Sequence, residues 1–159
     1  MNTSLNHMQG NLITLAEEGH FNVIVHGANC YNTFGKGIAK EIRERYPAAA
    51  RSDAATIAGD KTKLGNYTTM IGKQFNIVNA YTQFTYWNVG DKQGDLFEYD
   101  SFNTILNKLA EQYPTCKMGL PYIGMGLAGG DSTRIIAMIE AFATKLLLTG
   151  GTVTLVNFG

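Results

Sequence analysis

The chain has 159 residues, which fits one domain around one core, and its 45% hydrophobic content argues against disorder. With 13 basic and 13 acidic side chains the formal net charge is zero, whereas a large nucleic-acid footprint needs a basic excess. The two cysteines, Cys30 and Cys116, form no Cys-x-x-Cys pair, and histidines are few; this argues against zinc and for a reducing, cytoplasmic setting.

Residues 1–10 are polar and lack a signal-peptide pattern. They predict a short edge strand ending near Met8, followed by a turn at Gln9-Gly10-Asn11. Leu12 to Glu18 predicts one or two helical turns stopped by Gly19. Phe21 to Ala28 is almost continuously apolar, the pattern of a strand buried on both faces. From Gly37 to Tyr46, Ile38, Ile42 and Tyr46 fall on one helical stripe, which Pro47 ends; Lys40, Arg43 and Arg45 read as its solvated face. Ala48 to Ala58 predicts a second short helix.

Asn66 to Ile71 and Phe75 to Tyr81 read as a hairpin around Gly72-Lys73-Gln74. Tyr86 to Leu96, with Gly90 and Gly94, has no period and reads as a loop. Phe102, Ile105, Leu106, Leu109 and Tyr113 define a helix capped by Asp100 or Ser101. Lys117 to Leu120 is a short strand. Ile135, Ile136, Ile139, Phe142, Leu146 and Leu147 mark a long helix ending at Gly150-Gly151, and Thr152 to Phe158 is the last strand. No apolar stretch is long enough to span a bilayer. Alternating strands and helices, with no repeat and no linker, predict an α/β sandwich with a mixed sheet as a single domain over residues 1–159.

Two glycine-rich segments stand out. One runs from His26-Gly27-Ala28-Asn29-Cys30 to Gly35-Lys36-Gly37-Ile38-Ala39, the other from Ile123-Gly124-Met125-Gly126-Leu127 to Ala128-Gly129-Gly130-Asp131. Each leaves an apolar strand and opens a helical pattern, an arrangement that aims backbone N–H groups and a positive helix end at an anion. Two such loops suit a diphosphate. The first is not Gly-x-x-x-x-Gly-Lys-Ser/Thr, which disfavours a nucleoside triphosphatase, and Gly-x-Gly-x-x-Gly is missing where a dinucleotide dehydrogenase needs it.

In order and spacing these segments, with Gln9-Gly10-Asn11-Leu12 before them, resemble the macro domain family. The resemblance spans nearly the whole chain. His26-x-x-Asn29 and Gly126-Leu127-Ala128-Gly129-Gly130-Asp131 are most similar to the branch of ADP-ribose-1''-phosphate phosphatases and terminal ADP-ribose glycohydrolases found in fungi, bacteria and phages. It implies a three-layer α/β/α domain that binds ADP-ribose, without metal or cofactor. The implied ligand contacts are Asn11, Leu12, Gly35, Lys36, Gly37, Ile38, Gly124, Met125, Gly126, Leu127, Ala128, Gly129 and Phe158. The implied catalytic set is His26, Asn29 and Asp131: Asn29 on the distal ribose, Asp131 on water or the anomeric carbon, His26 on a proton.

Each residue also has a plainer reading. Asn29 suits a turn, His26 a half-buried strand end, Asp131 a helix N-cap, Lys36 the solvent, and Phe158 core packing. Tyr81, Phe34 and Trp87 are further aromatic candidates. Cys30 is a nucleophile only with a nearby base and a lowered pKa.

The chain also departs from the family pattern. Asn11 stands where most members carry the aspartate that accepts from the adenine amino group, and an amide makes a weaker acceptor. Gln83 lies near the lysine nucleophile of the glycohydrolases and cannot form that adduct, with Lys92 a remote substitute. Three readings follow. One is hydrolysis of ADP-ribose-1''-phosphate or of an ADP-ribosyl adduct on a protein or nucleic acid. A second is non-catalytic binding as a reader or sponge, with phage anti-defence as one such role. The third is binding of another anion. A monomer away from membranes is expected, with nucleic acid only as a modified substrate.

Overall fold

Successive side chains of a strand point to opposite faces, so a sheet whose strands are apolar throughout must be covered on both. The computed structural model describes residues 4–33, 37–85, 96–125 and 129–158. Strands β1 (Leu5–Gln9), β2 (Val23–Asn29), β3 (Tyr67–Met70), β4 (Asn76–Gln83), β5 (Lys117–Leu120) and β6 (Thr152–Asn157) form one mixed sheet in the order β1-β6-β5-β2-β4-β3. Every neighbouring pair is parallel except the β3–β4 hairpin. The helices are α1 (Leu12–Glu17), α2 (Gly37–Arg45), α3 (Pro47–Ala54), α4 (Tyr99–Gln112) and α5 (Ser132–Leu148), with a 3-10 turn at Lys61–Lys63.

The strand alternation sorts the helices into two layers. Val23 and Val25 of β2, with Val78 and Ala80 of β4, pack against Phe102, Ile105 and Leu109 of α4 and Ile135, Ile139 and Phe142 of α5. The intervening Ile24 and Ile77 face Leu12 and Ile13 of α1, Ile42 of α2 and Ala49 of α3. The result is the expected three-layer α/β/α sandwich. Each fully buried Leu, Ile or Phe contributes about 1.5–3 kcal/mol, so both faces of β2 and β4 are held by tertiary packing.

Local signals set most of the element ends. Asn11 caps α1, its Oδ1 accepting from Thr14 N at 3.0 Å. Pro47 both follows α2 and occupies the first turn of α3, where its missing N–H costs nothing. Helix α3 stops at Ala54 rather than Ala58. Helix α4 starts at Tyr99, and its cap is Glu98 rather than Asp100 or Ser101. The backbone there is tied earlier, because Glu98 N donates to Thr82 O at 2.7 Å. On the solvated face of α2, Arg45 forms an ion pair with Glu17 of α1. Among the described residues no helix is long and apolar enough to cross a membrane.

Candidate functional site

Strands β2 and β5 are neighbours, yet the helices that follow them leave to opposite faces: α2 packs with Ile24, α5 with Val23 and Val25. This is a topological switch point, and ligands of open α/β sheets bind in the crevice beyond the strand ends there. Both glycine-rich segments leave the sheet at this crevice. Of the expected ligand residues, Gly35, Lys36, Gly126, Leu127 and Ala128 lie outside the described residues, as do Phe34, Trp87 and Lys92.

A cavity of about 400 Å³ opens at the ends of β1, β5 and β6, against the first turns of α2. Its walls are Leu12, Ile38, Pro121, Val156 and Phe158, with backbone from Gly10 and Gly37, and its one charged lining side chain among the described residues is Glu41. Expected contacts Leu12, Gly37, Ile38 and Phe158 thus meet around one space. Phe158 is 75% exposed, so its ring is open to a flat partner. Asn11 borders it through Glu41: its Nδ2 donates to Glu41 Oε1 at 2.7 Å and Oε2 at 2.9 Å. With Oδ1 engaged by Thr14, both ends of the Asn11 amide are used inside the protein.

The second segment follows closely on Pro121 in the cavity wall and ends at Asp131, the N-cap of α5. Asp131 Oδ1 accepts from Thr133 N at 3.0 Å and Arg134 N at 3.4 Å. Both capping bonds fall on one oxygen, so Oδ2 takes no part in the cap. Asp131 N donates to the Tyr99 hydroxyl at 2.8 Å, and the Arg134 guanidinium stacks 3.8 Å above the Tyr99 ring. Tyr99 therefore braces the head of α5. Gly124 bends the segment with φ +76°, and a Cβ there would lie 2.3 Å from the Phe97 ring. Met125 is half-buried against the α4–α5 core, and Gly129 has φ +71° in an exposed position.

Asn29 ends β2 where the register with β4 shifts. Its Oδ1 accepts from Tyr31 N at 2.9 Å, and its Nδ2 donates to Thr33 Oγ1 at 2.6 Å. This side chain folds the start of the first segment into an Asx-type turn. His26, three residues earlier, is 1% exposed. Its Nε2 donates to Oδ1 of its register partner Asn79 at 2.6 Å, and Asn79 Nδ2 donates to Ala49 O and Thr68 Oγ1, both at 3.0 Å. The tautomer follows from the partner, since an amide oxygen only accepts. Burial holds the imidazole well below its ordinary value, at about 4, with the Asn79 bond opposing the shift. His26 is thus neutral at pH 7 and joins β2, β3, β4 and α3 beneath the site.

A second buried network fixes the outer side of the first segment. Lys63 is 8% exposed, and its Nζ donates to Asn32 Oδ1 at 2.5 Å and Thr56 Oγ1 at 2.8 Å. It also lies 5.1 Å from the Tyr81 ring centroid. The Tyr81 hydroxyl donates to Asp53 Oδ1 at 2.7 Å. Burial raises the Asp53 carboxyl, against the pull of the Tyr81 bond and the Lys63 charge. Tyr81 is therefore a core residue rather than a stacking platform. Cys30 is fully buried, and burial pushes its thiol up to about 11, so it carries no thiolate at neutral pH. Gln83 Nε2 donates to Thr85 O at 2.8 Å. Among the described residues no three His, Cys, Asp or Glu side chains are placed to hold a metal ion.

Sequence reasoning did not single out Glu41, Tyr99, Asn79 or Lys63. For Glu41 a signal existed: it lies one turn beyond Gly37, on the helix face that follows the loop, with Ile38 beside it.

No family model matches the chain. An uncharacterized 17.5 kDa protein from the tk-vs intergenic region of Enterobacteria phage T4 is 32% identical over 152 residues, 88% of this chain and 90% of that one. Among solved structures, the macrodomain of Mycobacterium tuberculosis DarG superposes with a TM-score of 0.75 at 15% identity, over 99% of this chain and 100% of that one. A Trypanosoma brucei macrodomain in complex with ADP-ribose superposes with a TM-score of 0.66 at 14% identity, over 98% of this chain and 64% of that one. The chain belongs to one family with the phage T4 17.5 kDa protein, and its fold is that of the macro domains.

Proposed function

We propose that the whole chain, residues 1–159, acts as one macro domain that binds ADP-ribose and hydrolyses an ADP-ribose derivative at the distal ribose. The observation that carries this reading is the run from Pro121 to Asp131. It joins the wall of a largely apolar cavity to a carboxylate that, among the described residues, uses only one oxygen to cap a helix. The cavity takes the nucleoside end, with Phe158 stacking on the base. Backbone N–H groups of Gly35, Lys36, Gly37 and of Gly124 to Gly129 take the diphosphate, helped by the first turns of α2 and α5. Asn29 orients the distal ribose, exchanging its Thr33 bond for a ribose hydroxyl. Asp131 Oδ2 takes the proton of the attacking water. For ADP-ribose-1''-phosphate, water adds, the ester bond breaks, and ADP-ribose and orthophosphate leave. His26, buried and neutral, enters as the group that fixes the end of β2.

Asp131→Asn separates the two roles of this residue, because asparagine caps helices about as well as aspartate. The expected outcome is wild-type melting temperature and ADP-ribose affinity with turnover of ADP-ribose-1''-phosphate and of ADP-ribosylated protein lowered at least about 10²-fold. Unchanged turnover would remove Asp131 from the reaction.

A second reading is a non-catalytic binder, a reader or sponge for ADP-ribose-type nucleotides. It is favoured by the depth of His26 and by Gln83 at the end of β4, which offers no amine. Wild-type protein that binds ADP-ribose but converts no molar excess of either substrate would select this reading.

A further inference from the structure

The cavity beside α2 has an electrostatic asymmetry. Five of its lining side chains are apolar, and Glu41 is its single charge among the described residues. A hydrated diphosphate fits neither the apolar walls nor a carboxylate, so this end of the crevice suits a flat, uncharged ring with a hydrogen to donate.

The Asn11–Glu41 contact narrows the choice. Asn11 Nδ2 sits across both carboxylate oxygens, at 2.7 and 2.9 Å, and so occupies the forked edge that would otherwise pair with two adjacent donors. What Glu41 still offers is a lateral lone pair on one oxygen at a time. That suits a single N–H from an exocyclic amino group. A ring whose corresponding atom is a carbonyl oxygen would face the carboxylate lone pair to lone pair. Asn11 Oδ1 already accepts from Thr14 N at 3.0 Å, and as a neutral amide oxygen it is a weaker acceptor than the Glu41 carboxylate.

We propose that Glu41, held in place by Asn11, reads the base, and that it selects an amino-substituted purine over its 6-oxo counterpart. Charge-assisted base recognition has then moved from the position after the β1 turn to the second turn of α2. The proposal rests on the nucleotide-binding reading above.

The test is calorimetric titration of wild type, Glu41→Ala and Glu41→Gln with ADP-ribose and with its hypoxanthine analogue, inosine diphosphate ribose. Wild type is expected to favour ADP-ribose by about tenfold or more, the size of one charge-assisted hydrogen bond. Glu41→Ala is expected to bring the two affinities within about twofold by losing the amino contact and relieving the oxo repulsion. Glu41→Gln goes further: its oxygen stays with Asn11 Nδ2, its Nε2 turns to the cavity as a donor, and the preference shifts to the 6-oxo ligand. A residue acting only through the fold would weaken both ligands alike, so an unchanged ratio in both variants overturns the proposal and leaves the binding reading standing. Wild type that binds neither nucleotide overturns both.

Discussion

A histidine sealed into an apolar layer is a proton sensor of stability rather than of catalysis. His26 has a pKa near 4 in the folded chain against 6.5 as a free side chain. Above pH 6.5 it is neutral in both states. As pH falls from 6.5 towards 4 the unfolded chain takes up the proton and the folded chain does not, so stability falls with pH across that window. The shift corresponds to about 3 kcal/mol. Urea denaturation of wild type at pH 7.5 and pH 4.5 is expected to show most of this loss, and His26→Gln to show a smaller one. An equal loss in the variant would place the pH dependence elsewhere. The burial of His26 was in reach from the strand pattern: where both faces of a strand are covered, its polar residue is inside as well. Its partner Asn79 was not in reach, because a contact across 53 positions is fixed by the register of β2 on β4. The departure at Asn11 was plain in the sequence, whereas its consequence depends on Glu41, 30 positions away on another element.

At the scale of elements, the second glycine segment is shaped by what packs beneath it. Gly124 combines a left-handed φ with the Phe97 ring at 2.3 Å from any Cβ, and its carbonyl accepts from Gly130 N at 2.8 Å. Gly124→Ala is expected to lose about 2–4 kcal/mol, from backbone strain and overpacking together. ADP-ribose affinity should drop in parallel as the segment moves. A melting temperature within one degree of wild type would show that the segment repacks freely. Most elements were legible because their signals are local: the Ile38, Ile42, Tyr46 stripe, the Gly72 turn, and the Asp131 cap. Boundaries drifted where a tertiary bond decided them. Helix α4 begins early because Glu98 is tied to the end of β4, and Phe97 bridges to Gln83 just before it. Neither bond has a mark in the periodicity.

For the molecule as a whole, zero net charge gives no long-range field to draw an anion in, and in the proposed reading the backbone dipoles of the two glycine segments beyond β2 and β5 supply most of the hold on the diphosphate. The order β1-β6-β5-β2-β4-β3 places the reversal of helix direction between β2 and β5, and with it the crevice. That placement is a property of chain crossings, visible in sequence only through the resemblance to macro domains. The cavity needs the ends of β1, β5 and β6, the start of α2 and the residue after β6 to come together, which no single segment announces. Titration calorimetry of the intact chain with ADP-ribose, repeated on Phe158→Ala, reads nucleotide binding at this cavity. Saturation at one site per chain is expected, with affinity reduced in the variant by about 1–3 kcal/mol as the stacking ring is lost. No saturable heat at millimolar ADP-ribose would contradict it and leave the macro domain fold serving a different ligand.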